Sequence, residues 1–225
     1  RTPDSFIINL NDKEDDFLFA TERYDRKILD TSKELMGKKV PLRLHQEDFA
    51  QALGITASQK YEKNGKDYLA DVFELIKNYS SNPIEDQIRL WDLCIFNYLI
   101  GNTDNHVKNI ALLYSEDLKG IRLAPAYDLL STVIYDSSTE KMSLNIDGEY
   151  DIRNINQKSF ENEAKKLGLG KGIATQHFLS MVEKFEMALE QSTYELEEQG
   201  YGVAVDIQKQ ILKKAGIHNF KLTNP

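Results

Sequence analysis

Residues 99–109 of the chain read LIGNTDNHVKN, a polar loop that follows an apolar segment and precedes a predicted hairpin. Inside this loop, Asp104 and Asn109 are separated by four residues. A kinase catalytic loop has the same spacing: its aspartate orients the attacking hydroxyl and accepts its proton, and its asparagine holds Mg²⁺. A loop between a buried helix and a hairpin is also a place where a rigid scaffold presents reactive side chains. The stretch therefore predicts a site for phosphoryl transfer.

A second carboxylate, Asp128, follows the predicted hairpin. The hairpin strands are expected at 110–114 and 121–124, joined by a polar turn. Because a hairpin brings its second strand back beside its first, Asp128 is expected to lie near Asn109 and to share the metal with it. Lys108, inside the loop, is a candidate for neutralising charge on the transferred phosphoryl group.

The same residues also have a simpler interpretation. Asp104 can cap a turn, and Asn109 can hydrogen-bond to its own backbone. An Asp-x4-Asn pair alone is a weak signal in a chain with 36 acidic residues. The position of the pair, after a buried helix and before a hairpin that ends in Tyr-Asp, favours phosphoryl transfer.

The segment before the loop predicts a helix in the middle of a core. Asn82 is a good N-cap, Pro83 suits the first helical position, and Glu85 can reach back to the cap. The later turns are apolar on nearly every face, which is typical of a buried helix. The apolar residues of these turns are Leu90, Trp91, Leu93, Ile95, Phe96 and Leu99.

The rest of the chain predicts a small β element ahead of a largely helical body. The predicted elements before the central helix are strands at 6–8 and 17–20 around a polar loop at 11–15, a short helix at 45–53 closed by Gly54, and a helix at 67–79. Residues 131–156 are polar and turn-rich, with one alternating piece at 142–146.

The last third is predicted to be helical, with two apolar stripes expected in the core. The stripe residues are Phe178, Met181, Val182, Phe185 and Leu189 in the first stripe, and Val203, Ile207 and Ile211 in the second. Residues 168–172 are rich in glycine but lack the spacing of a phosphate-binding loop, so they predict an interhelical loop.

Composition excludes several classes of protein. The chain has 225 residues, a net charge of −8 and 41% hydrophobic residues, as expected for a folded, soluble domain. One cysteine excludes an internal disulfide framework, and four scattered histidines argue against a clustered histidine metal site. The acidic balance argues against a broad nucleic-acid-binding face. No signal peptide or membrane span is predicted, and a cytoplasmic setting is expected.

Five motifs in order over residues 21–131 resemble the HipA family of bacterial toxin serine/threonine kinases, specifically its C-terminal lobe. The motif ranges are 21–26, 43–54, 60–62, 99–109 and 122–131. The resemblance implies a mainly α fold with small β hairpins, a kinase-like C-terminal lobe. It further implies that residues 1–26 are the last strands of the N-terminal lobe and the hinge, and that 27–225 form the helical catalytic lobe.

The resemblance also implies site roles, with ATP and Mg²⁺ as cofactors. The implied roles are Asp104 and Lys108 in catalysis; Asn109 and Asp128 as metal ligands; Glu22, Arg23 and Tyr24 as a hinge that holds adenine; Asp25 at the ribose; and His106, Asn109 and Tyr127 at the nucleotide. Without the resemblance, residues 22–26 read as a charged strand end. The motifs at 45–48 and 60–62 are expected to be architecture, or in the case of 60–62 architecture or a partner contact.

One departure from the family pattern concerns the phosphate-covering loop. No glycine precedes Gly37, and Lys13 is the only lysine before Glu22. Kinases need a glycine-rich loop and a strand lysine before the hinge, so that part of the N-terminal lobe, with the family's regulatory serine, is expected to be missing. The chain would then be a fragment, or would receive this lobe from a separate subunit, and we expect little or no kinase activity from it alone.

Three functions follow as hypotheses. The first is the catalytic lobe of a serine/threonine protein kinase, whose family targets include an aminoacyl-tRNA synthetase. Its implied partners are a HipB-like antitoxin or an N-terminal lobe subunit, with DNA contacted only through the antitoxin and no membrane contact. The second is a non-catalytic module that docks such a partner. The third is a small-molecule phosphotransferase, since sugar and aminoglycoside kinases use a similar arrangement of the three site residues.

Overall fold

The computed structural model describes residues 1–10, 17–62 and 65–220. The strands are β1 (Ser5–Asn9), β2 (Phe17–Thr21), β3 (Arg26–Lys27), β4 (Glu34–Leu35), β5 (Lys38–Lys39), β6 (Leu42–Arg43), β7 (Gln46–Asp48), β8 (Ala111–Tyr114), β9 (Ile121–Leu123), β10 (Lys141–Ile146) and β11 (Glu149–Asp151). The helices are α1 (Phe49–Ala52), α2 (Tyr68–Tyr79), α3 (Pro83–Ile100), α4 (Gln157–Lys166), α5 (Lys171–Glu198) and α6 (Val203–Lys214). Short 3-10 turns lie at Ala57–Gln59 and Gly216–Phe220. Within those ranges no helix combines the length and the apolar character that crossing a bilayer would require.

Helix α3 runs through the core, as its sequence predicts. Most of its later residues are buried, and the indole nitrogen of Trp91 donates a hydrogen bond to the Ala174 carbonyl of α5 at 3.1 Å. Pro83 occupies the first turn. The predicted cap is wrong in detail, because the Asn82 side chain makes no hydrogen bond to the backbone and instead donates to Glu85 Oε2 at 2.6 Å.

Gly101 ends α3 at a point where three parts of the chain meet. Its φ of +72° lies in the left-handed region that favours glycine. A Cβ at this position would lie 2.3 Å from Val133 Cγ1 and 2.9 Å from Ala215 Cβ. The left-handed φ and the lack of room for a Cβ therefore both require glycine at position 101. The sharp turn at this glycine changes the direction of the chain at the start of the following loop.

A three-stranded antiparallel sheet, in the order β7-β8-β9, supports the loop after α3. The predicted hairpin is confirmed, with Leu112 opposite Leu123. The predicted helix at 45–53 is wrong in its first half, because residues 46–48 form a strand that pairs with β8. Asp48 sets the boundary: its carboxylate accepts a hydrogen bond from the Gln51 amide at 2.8 Å, so the helix begins only at Phe49.

Asp86 of α3 ties the hairpin to the central helix. Its side chain is 0% exposed. It accepts hydrogen bonds from the Leu123 amide at 2.9 Å and from Arg122 Nε at 2.9 Å. Burial alone would raise the pKa of Asp86, but the hydrogen bonds from Arg122, Ser80 and Leu123 hold the pKa below its ordinary value. The buried charge is thus fully paired and fixes the hairpin against α3.

The N-terminal strands form a separate antiparallel ribbon, with Ser5 opposite Thr21 and Ile8 opposite Leu18. The two predicted strands are confirmed, whereas the loop predicted at 11–15, with Lys13, lies outside the residues that the structure describes. Apolar side chains on both faces of the ribbon are exposed, Phe19 by 72%.

The C-terminal third is helical, as predicted, but only one of its two stripes lies in the core. Phe178 and Phe185 of α5 are buried, and the other three residues of that stripe pack against the core. In α6 only Ile211 of the predicted stripe is buried, while Val203 is 58% exposed. Helix α6 is an outer helix whose buried contacts run through Ala204 and Ile211, so the stripe at Val203 and Ile207 faces outward. Residues 167–170 connect α4 and α5, so the interhelical loop predicted at 168–172 is correct in kind but ends earlier, because Lys171 and Gly172 already belong to α5.

Candidate active site

The loop after Gly101 is fixed from two sides. The buried Asn102 side chain donates to Asn97 Oδ1 of α3 at 2.8 Å and to the Asp128 carbonyl at 3.0 Å. The backbone of Thr103 is held by Thr132 Oγ1, which accepts from its amide at 2.7 Å, and by Ser143 Oγ, which donates to its carbonyl at 2.7 Å. The next residue, Asp104, is therefore presented from a rigid backbone.

Asp104 is half-buried, and its Oδ1 accepts a hydrogen bond from the Tyr61 hydroxyl at 2.8 Å. Both side chains line a groove of about 650 Å³. The groove wall is rich in hydroxyl and aromatic side chains, and Lys141 also lines it. A carboxylate at the wall of an open groove can accept a proton from a hydroxyl that enters it.

Asn109 and Asp128 meet as the hairpin implied. The side-chain nitrogen of Asn109 (Nδ2) donates to the backbone carbonyl of Asp104 at 3.1 Å and to Asp128 Oδ2 at 2.7 Å. Asp128 has a φ of +56°, a left-handed conformation that aspartate and asparagine tolerate better than most residues. Strained backbone of this kind is concentrated at functional sites.

The donor atoms at Asn109 and Asp128 fit Mg²⁺. Because the Asn109 amide nitrogen points to Asp128, its amide oxygen is left without a hydrogen-bond donor from the described residues. Amide and carboxylate oxygens are hard ligands, and Mg²⁺ at phosphate sites commonly uses one or two carboxylates together with substrate phosphates and water. No cluster of three or more histidine, cysteine, aspartate or glutamate side chains able to hold a metal occurs in the part of the chain that the structure describes. The pair thus suits a shared, phosphate-dependent metal site better than a protein-only one.

Lys108 is paired with the sheet. Its ammonium pairs with Asp48 Oδ2 at 3.0 Å, where β7 ends. The Lys108 carbonyl accepts a hydrogen bond from the Tyr127 hydroxyl at 2.8 Å. Burial raises the pKa of Tyr127, so its hydroxyl remains a donor. In this structure the Lys108 side chain therefore fastens the loop to the sheet.

His106 is buried inside the loop. Its Nε2 accepts a hydrogen bond from Lys60 Nζ at 2.8 Å, and its Nδ1 is buried without a partner among the described residues. Burial and the neighbouring Lys60 ammonium lower the pKa of His106, so the ring is neutral. The structure thus gives His106 a supporting position and no exposed donor for a phosphate.

The predicted hinge residues lie together, next to Tyr127. Glu22 and Arg23 are exposed, and the Tyr24 ring stacks on Tyr127 with 6.2 Å between ring centroids. Burial raises the pKa of Tyr24, whose hydroxyl donates to Gln46 Oε1 at 2.7 Å. A second cavity, of about 710 Å³, is bordered by Glu22, Arg23 and Tyr24 together with Arg122 and Leu123 of β9.

Asp25 does not match its predicted role at a ribose. Its side chain is 1% exposed. Both of its carboxylate oxygens accept from Arg23, at 2.7 Å each, and Arg26 also pairs with it. The hydrogen bonds from Arg23 hold the pKa of Asp25 below its ordinary value despite burial. The carboxylate is committed to the local arginines and does not face the cavity.

Tyr61 is the site residue that the sequence interpretation missed. The sequence motif at 60–62 predicts only architecture or a partner contact. The signal that was present is an aromatic hydroxyl flanked by charged residues.

Comparison with known proteins settles the family. A family model described as the HipA-like C-terminal domain matches residues 1–191. The chain belongs to this family. Among curated relatives, it is 36% identical over 164 residues to Y4mE of Sinorhizobium fredii, a protein whose name proposes kinase activity. It is 28% identical over 181 residues to the serine/threonine-protein kinase toxin HipA of Shewanella oneidensis. The matches cover 73% and 76% of this chain but only 37% and 40% of those proteins, so the chain spans about 40% of the length of its HipA-like relatives.

Solved structures share the HipA-like fold. The HipA chain in a complex of HipA, HipB and operator DNA from Shewanella oneidensis superposes with a TM-score of 0.77 at 22% identity, covering 94% of this chain and 50% of that one. The proinflammatory kinase CtkA of Helicobacter pylori superposes with a TM-score of 0.52 at 16% identity, covering 98% of this chain and 80% of that one. The expected mainly α fold with small hairpins, of kinase-like type, is thereby confirmed.

Proposed function

We propose that this chain is the catalytic lobe of an ATP- and Mg²⁺-dependent serine/threonine protein kinase. The observation that carries the proposal is that Asp104, Asn109 and Asp128 come together. The Asn109 side-chain amide donates both to the Asp104 backbone carbonyl and to the Asp128 carboxylate. Asp104 lines the open groove and Asp128 is exposed beyond the hairpin, so a nucleotide and an acceptor would have access to both carboxylates. Kinase names among the relatives support the same class.

Each residue has its own part in the proposed reaction. The Asp104 carboxylate would orient an acceptor hydroxyl in the groove and take its proton as that oxygen forms a bond to the γ-phosphorus of ATP. The bond from this phosphorus to the β–γ bridging oxygen breaks, and ADP leaves. Asn109 and Asp128 would hold Mg²⁺, which when bound neutralises charge on the nucleotide phosphates. Glu22, Arg23 and Tyr24 would border the adenine, since they line the second cavity. Lys108 and His106 keep the loop in place.

We further propose that activity requires chain beyond these residues. Phosphoryl transfer by a protein kinase uses a glycine-rich loop and a strand lysine, whereas here no glycine precedes the hinge residues and Lys13 is the one lysine before them in the sequence. The longer relatives have room for both, because this chain spans about 40% of their length.

The substrate and partner are proposed from the family. A protein hydroxyl is the proposed acceptor, with an aminoacyl-tRNA synthetase as a first candidate. A HipB-like antitoxin is the proposed partner, supported by the solved complex of HipA with HipB and DNA. In this proposal DNA is contacted only through that antitoxin, and the setting is the cytoplasm.

Transfer of the γ-phosphate from ATP tests the kinase proposal. The assay compares the chain alone with the chain joined to, or mixed with, a segment that supplies the glycine-rich loop and lysine. In the completed protein we expect Asp104→Ala to lower transfer at least about a hundredfold, the loss typical of a missing general base. Nucleotide affinity should be unchanged, because Asp104 is not a metal ligand in this scheme.

Asp206→Ala serves as the matched control, because Asp206 is an exposed aspartate of α6 whose one ion pair among the described residues is with Lys209. Proteins and small alcohols are offered as acceptors, and phosphorylation of small alcohols alone would favour a small-molecule phosphotransferase. If an assembled, nucleotide-binding complex transfers nothing, or Asp104→Ala behaves like the control, the kinase proposal is wrong. A non-catalytic docking module would then be the better reading of the exposed apolar ribbon β1-β2.

A further inference from the structure

Three consecutive residues, Lys60, Tyr61 and Glu62, contact the candidate site and the strand beside it. Lys60 reaches His106, Tyr61 reaches Asp104, and Glu62 reaches Asn145 of β10. The catalytic loop is therefore contacted twice by a segment that lies far from it in the sequence.

Glu62 anchors this segment. One of its carboxylate oxygens accepts from the backbone and side-chain nitrogens of Asn145, at 2.8 and 2.5 Å, and the other accepts from the Tyr68 amide at the start of α2 at 2.5 Å. The Glu62 amide donates to the Ser143 carbonyl at 3.3 Å. Ser143 in turn holds the Thr103 carbonyl through its hydroxyl, so β10 joins the anchor directly to the loop that carries Asp104.

The anchored segment places Tyr61 against one oxygen of the candidate base. The Tyr61 ring packs edge-on against His106, with 5.4 Å between ring centroids, and Lys60 Nζ lies 4.7 Å from the centre of the Tyr61 ring. Lys60 also donates to His106 at 2.8 Å. Held in this way, the Tyr61 hydroxyl donates to Asp104 Oδ1 at 2.8 Å, while Oδ2 accepts no hydrogen bond from the described residues.

We propose that Tyr61 is a positioning residue for phosphoryl transfer, which fixes the Asp104 carboxylate so that Oδ2 receives the acceptor hydroxyl. This inference rests on the proposed kinase function. A carboxylate that accepts a hydrogen bond from a fixed donor on one oxygen is already restricted in orientation, so it loses less conformational entropy when the acceptor hydroxyl binds. Tyr61 does not touch the acceptor oxygen in this scheme, and it acts only through Asp104.

The test is Tyr61→Phe in the complete, active kinase, with initial rates measured against both ATP and the protein acceptor. Because only the hydroxyl is removed from a half-exposed ring, the fold is retained, and thermal unfolding verifies this. We expect kcat to fall about tenfold, the equivalent of one hydrogen bond to a charged group, with KM for ATP and for the acceptor unchanged. Adding Tyr61→Phe to Asp104→Ala should cause no further loss, since both changes act on the same carboxylate.

Tyr194→Phe is the matched control, because Tyr194 is an exposed tyrosine of α5 that does not line the groove. An unchanged kcat in Tyr61→Phe overturns the inference. A raised kcat also overturns it, because Tyr61 would then occupy the acceptor position and block it. An inactive parent protein is a different outcome, and it counts against the proposed function itself.

Discussion

Two carboxylates at one loop cluster are given different chemistry by their immediate neighbours. Asp104 receives a tyrosine hydroxyl and lines an open groove, whereas Asp128 receives an amide nitrogen on a left-handed backbone. The Asn109 amide that binds Asp128 accepts no hydrogen bond on its own oxygen from the described residues. We therefore propose proton transfer for Asp104 and metal binding for Asp128, although the residue type is the same.

The assignment of Asp128 predicts a specific effect of Asp128→Asn. Asparagine tolerates the left-handed φ as well as aspartate does, so the loop is preserved while the metal loses a charged ligand. We expect Mg²⁺-dependent ATP affinity of the complete protein to fall at least about tenfold, which titration calorimetry with Mg²⁺ or with EDTA measures. Asp104→Ala serves as the comparison, because it should leave this affinity intact. Equal ATP affinity of Asp128→Asn and the parent at saturating Mg²⁺ would contradict the metal role.

At the level of elements, the site depends on how the hairpin β8-β9 is held against helix α3. Asp86 makes that connection from inside the helix, through the Leu123 backbone and the Arg122 side chain. Its pKa is held below the ordinary value, so it stabilises the fold in its charged form. That contribution is complete above the unfolded pKa of about 3.9 and is lost as the pH falls through the lower, folded pKa.

Asp86→Asn should remove this contribution selectively. At pH 7 we expect the free energy of unfolding to drop by about 1–3 kcal/mol, the range for a buried hydrogen bond to a charged group. The difference from the parent should shrink below about pH 4, where the parent carboxylate also begins to take up a proton. Urea unfolding at several pH values measures both effects. Since burial raises the pKa of Glu62, which works in the opposite direction, the difference between variant and parent is the informative quantity. A difference that stays constant with pH would mean that the Asp86 charge is not what holds the hairpin.

Elements with strong local signals could be predicted from the sequence, and those fixed by distant partners could not. Helix α3 follows from its proline start, and the hairpin β8-β9 from its turn. Residues 46–48 were expected to be helical, but pairing with β8 overrides that local preference. The spacing of Val203 and Ile207 in α6 is the same as that of core residues, yet both side chains are exposed. Helical periodicity shows that apolar residues share a face, but not whether another element packs against that face.

The candidate site also has features that could be predicted from the sequence and features that could not. The order and spacing of Asp104, Asn109 and Asp128 were enough to predict that they come together. The partners of the polar side chains were not predictable from the sequence. Asp25 forms hydrogen bonds with neighbouring arginines, and Lys108 forms an ion pair with the distant Asp48. The contact of Tyr61 with Asp104 depends on an anchor to β10, which no local pattern reveals.

At the scale of the whole molecule, the exposed ribbon β1-β2 contrasts with the buried core. In the part of the chain that the structure describes, these two strands pair only with each other. Strand edges with unpaired backbone groups and exposed apolar faces are sites of association. Leu18 and Phe19 lie on opposite faces and are both more than half exposed.

The ribbon predicts self-association of the chain when it is purified by itself. We expect sedimentation velocity to show oligomers that grow with concentration, and the double variant Leu18→Ser, Phe19→Ser to shift the chain towards the monomer. Ile84 and Met187 are comparably exposed on α3 and α5, so Ile84→Ser with Met187→Ser controls for a general loss of apolar surface. The core lies elsewhere, so the ribbon variant should keep the thermal unfolding midpoint of the parent to within a few degrees, as expected for surface changes of about 0.5 kcal/mol. If the two double variants associate equally, the ribbon is not the surface responsible. If only the ribbon variant becomes monomeric, the exposed faces of β1-β2 are the surface of self-association, next to residues 22–24, which border the second cavity.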